Sequence, residues 1–110
     1  MGRFVRGDVV VVPFPFTDLT GSKRRPAFVV TDLPGDDIIL CQITSRNKPD
    51  SLALPVGAGD FDTGGLPVDS FIRVNKIFTA SKNIILYTAG RLSGAKITEA
   101  VSAVIRVISS

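Results

Sequence analysis

Apolar residues in this chain come in short runs, rich in β-branched side chains and cut off by glycine, proline or aspartate. Only near the C-terminus does the period change. The runs Val9–Val12, Ala27–Val30 and Ile38–Ile43, and the stretch Phe71–Thr79, carry the preference for pleated, half-buried structure. They predict strands near residues 8–13, 25–32, 37–44, 52–56, 71–79 and 84–88. Pro34-Gly35-Asp36-Asp37 has the composition of a tight turn and joins the second and third of these as a hairpin. Gly57 to Val68 holds four glycines and one proline in twelve residues, so it reads as a long loop. From Ile97 onward, Ile97, Val101, Val104, Ile105 and Ile108 fall on one face of a helix. Ser93 suits the N-cap, and Glu99 lies early, where the helix dipole favours an anion. That helix is rich in β-branched residues and must gain its stability by docking on the sheet.

Five or six short strands followed by one helix predict a mainly β fold. A small, strongly bent antiparallel sheet or barrel buries edges that would otherwise pair with neighbours. At 110 residues, one domain spanning 1–110 is expected. The apolar runs fall far short of the roughly 20 residues a membrane-spanning helix needs. Met1 to Arg6 has cations but no long apolar stretch behind them, so it does not read as a secretory signal. Cys41, the only cysteine, sits inside an apolar run and reads as a small buried hydrophobe. With no intramolecular disulfide possible, a reducing cytoplasm is the expected location.

Composition excludes much chemistry. There is no histidine, so there is no Ser-His-Asp triad, no Cys-His pair and no ordinary zinc site. No phosphate-binding glycine pattern is present. Asp60, Asp62 and Asp69 are too few and too loosely spaced for a Ca²⁺ loop. The net charge of +3 is mild, but its distribution is informative. Lys23-Arg24-Arg25-Pro26 places three adjacent cations between two strands, on a loop following Pro13-Phe14-Pro15-Phe16. Arg46 and Lys48 form a second cluster. Such a surface fits a polyanion, with RNA the first partner to consider. Lys23, Arg24, Arg46 and Lys48 are then backbone contacts, whereas taken singly each is an ordinary solvated cation. Phe14 and Phe16 read as plugs of one barrel end; an exposed one offers a stacking surface for a splayed base.

RNA cleavage survives the exclusion of histidine and metal because the attacking 2′-OH belongs to the substrate. The protein need only align that oxygen, stabilise charge on the phosphoryl oxygens and move protons. Arginine suits the second task, since its planar fork binds phosphate oxygens bidentately. A guanidinium stays protonated and is no general base. In a purely structural reading, Arg25 is a strand-end cation paired with Asp8 or Asp18, and Thr44 simply ends its strand.

Gly7-Asp8-Val9-Val10, Arg25-Pro26-Ala27-Phe28-Val29-Val30 and Gln42-Ile43-Thr44-Ser45 occur in order, followed by Ile72-Arg73-Val74-Asn75-Lys76-Ile77-Phe78-Thr79. With the terminal helix, this pattern resembles the MazF/PemK-type toxins (mRNA interferases) of bacterial type II toxin–antitoxin systems. The resemblance implies an SH3-like small barrel with a C-terminal α-helix that forms a homodimer and is neutralised by a cognate antitoxin. It implies sequence-specific cleavage of single-stranded RNA without metal or cofactor, leaving 2′,3′-cyclic phosphate and 5′-OH ends. The catalytic residues it implies are Arg25 and Thr44. Lys23, Arg24, Phe16, Ser45, Arg46, Lys48, Arg73 and Asn75 are the expected RNA contacts. Asn75 stands where some members carry an aspartate, and it cannot accept a proton as a carboxylate would. The competing expectation is a non-catalytic SH3-like barrel that binds nucleic acid or protein; a gyrase-directed poison is a third.

Overall fold

The computed structural model describes residues 4–14, 23–46 and 51–110. Among the described residues, seven strands precede one α-helix: β1 (Asp8–Phe14), β2 (Lys23–Asp32), β3 (Asp37–Thr44), β4 (Ala53–Val56), β5 (Phe61–Gly64), β6 (Ser70–Ser81), β7 (Tyr87–Leu92) and α1 (Gly94–Ser109). All the pairings are antiparallel, in the order β4-β6-β3-β2-β1-β7-β5. The sheet curls as a half-barrel, with β4 and β5 as its edges.

Both faces of the central strands are buried, as strand alternation allows when each face has a cover. Val9, Phe28, Cys41, Ile43, Ile72, Val74 and Leu92 meet Ala100, Ala103 and Val104 of α1. On the other face Val10, Val12, Ala27, Val29, Ile38 and Leu40 lie beneath Phe4, Phe78, Ala80 and Ile85. Each such side chain contributes about 1.5–3 kcal/mol when fully removed from water. The bend is made largely by β6. Between the Cys41–Ile77 and Ile43–Ile72 pairs, β6 uses five residue steps against two on β3. Residues 73–76 therefore form a bulge that turns one long strand into two directions.

The Gly7-Asp8 pair is scaffold. Gly7 has φ +100, and a Cβ there would collide with the Ile97 side chain, so the glycine seats α1 against the start of β1. An Asp8 carboxylate oxygen accepts from the Val5 amide at 3.0 Å, and the other faces Arg91 at 3.3 Å. Asp8 thus pairs with Arg91, not with Arg25. Asp18 lies outside the described residues. At the same end of the sheet, beyond the start of β1, the Lys82 ammonium meets Asp32 (2.8 Å) and donates to the carbonyls of Leu33 (2.7 Å) and Gly35 (2.8 Å). This fastens the β2–β3 turn to the β6–β7 connection.

Four expectations change. The long loop over 57–68 instead contains a 3-10 turn, Ala58–Asp60, and strand β5. The Asp60 carboxylate fixes that turn by accepting from the Gly57 amide at 2.8 Å. The last strand runs over 87–92, not 84–88, because Lys82–Ile84 forms a second 3-10 turn. Ser93 is the N-cap, its hydroxyl accepting from the Lys96 amide at 3.3 Å. However, α1 is rotated relative to the expected stripe: Ala100, Ala103 and Val104 are buried, while Ile105 and Ile108 are exposed. Glu99 lies beyond the first turn and pairs with Lys96 at 2.9 Å.

Candidate nucleic-acid interface

Strand register brings the expected catalytic pair together. Ala27 stands directly opposite Gln42 in the β2–β3 ladder. Two residues further along each strand lie Arg25 and Thr44, so both occupy the same end of the sheet on the same face. Thr44 is opposite Phe71 in β6, and Arg73, two residues on, shares that face. Arg25, Thr44 and Arg73 therefore gather from three adjacent strands. Asn75 is exposed in the bulge that follows Arg73.

Thr44 is 8% exposed, and its hydroxyl oxygen accepts the Arg46 amide at 3.2 Å. That bond both ends the strand and orients the hydroxyl, leaving its own proton to donate. Arg25 is half-buried, whereas Arg24, Ser45 and Arg46 are exposed. In β2 the strand is described at Lys23 but its side chain is not, and Phe16 and Lys48 lie outside the described residues. Phe14 is placed as the last residue of β1 by its backbone alone.

A cavity lies on the other face of the same end. It encloses about 600 Å³ and its floor includes Val11, Pro26, Ile43 and Ala89. Arg24, Arg25, Arg46 and Tyr87 stand at its margins, and the β5–β6 connection contributes Leu66, Pro67 and Val68. Among the described residues, no acidic side chain lines it. Arg25 belongs to both sides: alternation sets its Cβ with Thr44, yet it also borders the cleft. Tyr87 was not singled out from the sequence. Its signal was there, as the only tyrosine of the chain beside an exposed Thr88 on a strand.

Among the described residues, no three His, Cys, Asp or Glu side chains converge on a point where they would hold a metal ion. The Cys41 thiol is pushed up from 9.0 to about 12 by burial, which keeps it protonated and unreactive. No helix among the described residues is long and apolar enough to cross a membrane.

The sequence matches over residues 5–108 the family described as PemK-like, MazF-like toxin of type II toxin-antitoxin system, and the chain belongs to that family. Its fold is similar to an endoribonuclease in complex with its cognate antitoxin from a mycobacterial species. That pair has TM-score 0.75 and 14% identity, covering 97% of this chain and 96% of that one. It is also similar to a MazE-MazF structure from Deinococcus radiodurans, with TM-score 0.75 and 16% identity, covering 98% and 97%. The Mycobacterium tuberculosis toxin MazF-mt6 gives TM-score 0.72 and 15% identity, covering 93% and 96%. At these identities the likeness is one of fold. Comparison with curated protein sequences finds no match.

Proposed function

We propose that this chain is a metal-independent, sequence-specific endoribonuclease toxin that cuts single-stranded RNA by attack of the substrate's own 2′-OH. The reading rests on one observation within a chain of this toxin family: Arg25, Thr44 and Arg73 come to one face at one end of the sheet. Arg25 holds the nonbridging oxygens of the scissile phosphate and stabilises the charge that builds on them. The Thr44 hydroxyl donates to one of the same oxygens. Arg73 adds a second cation from the neighbouring strand. The 2′-oxygen bonds to phosphorus and its proton passes to water, while the P–O5′ bond breaks and the 5′-oxygen takes a proton from water to leave as a hydroxyl. The products are a 2′,3′-cyclic phosphate and a 5′-OH end. Arg24, Ser45, Arg46 and Asn75, with Lys23, Phe16 and Lys48, supply the remaining RNA contacts.

The working form is a cytoplasmic homodimer held in check by a cognate antitoxin whose acidic segment covers the basic surface. The test is incubation of the purified protein with a long single-stranded RNA in EDTA, followed by mapping of 5′ ends. Discrete 5′-OH ends that Arg25→Ala does not produce support the reading. Cleavage no greater than that of Arg25→Ala overturns it. The second reading, a non-catalytic barrel that binds nucleic acid or protein, is favoured by Asn75, which offers no carboxylate. RNA binding without cleavage and without growth arrest selects it.

A further inference from the structure

Tyr87 is 55% exposed although it stands in a paired strand, and it lies against the cleft on the face opposite Thr44. The residue across from it in β1 is Val11, which is buried in the cleft floor. Leu66, Pro67 and Val68, which follow β5, add aliphatic lining, and the Gly65 amide anchors that segment to the Ala89 carbonyl at 3.2 Å. An exposed aromatic side chain beside aliphatic ones in one cleft suits a flat, apolar-faced group. Arg24, Arg25 and Arg46 also line the cleft, so the occupant carries anionic charge as well as an apolar face. A volume of about 600 Å³ is within the usual range for a small-molecule pocket.

We infer that the cleft is a nucleobase subsite in which Tyr87 stacks a base flanking the scissile phosphate. The inference rests on the RNA-cleavage reading above and adds a residue and a face to it. The strand crosses the end of the sheet beside Arg24 and Arg25. Its scissile phosphate lies with Thr44, and a neighbouring base turns over the edge into the cleft. Stacking on an aromatic ring is tolerant of base identity. The Ser45 hydroxyl, exposed and on the cleft side by alternation from Thr44, is in place to read a base edge.

The chain has one tyrosine and no tryptophan, so its intrinsic emission reports Tyr87 alone. A mixed-sequence 2′-O-methylated RNA, which the 2′-oxygen cannot cleave, is titrated into the protein. Emission should be quenched in step with binding measured by anisotropy of a labelled copy. Tyr87→Ala should bind roughly 5- to 150-fold more weakly, and Tyr87→Phe, which keeps the ring, should recover most of that loss. With cleavable RNA the Tyr87→Ala defect should appear in KM more than in kcat. Cleavage of RNA with no quenching and an unchanged KM in Tyr87→Ala overturns the subsite while leaving the ribonuclease reading intact. Quenching that follows protein concentration instead of RNA assigns the ring to a contact between copies and overturns the subsite as well. Neither binding nor cleavage of RNA overturns both readings.

Discussion

The two faces of the sheet use the same strands for different work. On one, Ala27, Val29, Ile38 and Leu40 continue toward the sheet end as Arg25 and Thr44, so the apolar cluster runs into the polar site. On the other, Phe28, Cys41 and Ile43 are capped by α1, and at the same end the cover gives way to an open cleft. The polar chemistry thus sits where the strands outrun their apolar cover, held in register by pairs that are buried a few residues away. A site placed this way inherits its rigidity from both clusters.

The largest expected effect comes from breaking one cluster and watching the other. Phe28→Ala on the helix side should cost about 3–5 kcal/mol, and Leu40→Ala on the opposite side about 2–5 kcal/mol. Because adjacent strands contribute to both faces, each variant should unfold in a single transition in urea, with an unchanged m-value. Two transitions in either variant would mean that the faces are stabilised independently.

Next in size is a test on neighbouring residues with opposite assignments. Arg25→Ala should lower kcat by about 10²–10³-fold, the usual loss for a group that stabilises transition-state charge. Arg24, one residue away and on the cleft side by alternation, should instead act through binding. Arg24→Ala should raise KM several-fold and reduce the salt dependence of RNA affinity by about one counterion. Equal kcat losses in the two variants would erase the distinction between the faces.

Much of this arrangement was legible in the residues. Val9–Val12, Ala27–Val30 and Ile38–Ile43 mark their strands because apolar side chains buried on both faces leave a run that only Gln42 interrupts. Phe61-Asp62-Thr63-Gly64 carried no such mark: as an edge strand paired only with β7, it has one neighbour and no buried residue. The end of β7 was hidden by Gly90, which serves close approach, since a Cβ there would lie 2.6 Å from the Thr63 carbonyl oxygen. The meeting of Arg25 with Thr44 was expected from resemblance alone. Which face each residue takes depends on register, and register is fixed by pairing partners far away in sequence.

Cys41 offers a subtler check on the helix-side cluster, where it stands opposite Phe28. Its thiol titrates near 9.0 when exposed and is raised to about 12 in the fold. A raised value means that the folded state holds a proton the unfolded chain releases. This contribution is therefore complete below pH 9.0 and is lost as pH rises toward about 12. Wild-type stability should fall more steeply over that interval than that of Cys41→Ala, as read by urea midpoints. A thiol reagent at pH 8 should label the native protein only after unfolding. Prompt native labelling would show that the cluster opens locally without global unfolding.

The smallest effect decides the rotation of α1. The sequence stripe through Ile97, Val101, Val104, Ile105 and Ile108 assigns Ile108 to the sheet, whereas the fold leaves it 67% exposed and buries Ala100 completely. The small residues carried no weight in an apolar-periodicity reading, yet close packing of a helix on a curved sheet selects them, because a larger side chain would hold the two apart. Ala100→Leu should therefore cost about 1–3 kcal/mol through overpacking. Ile108→Gln should change stability by less than about 0.5 kcal/mol. Should Ile108→Gln be the more damaging of the two, α1 would dock through the stripe that its sequence spells out, and the helix-side cluster would have to be rebuilt around it.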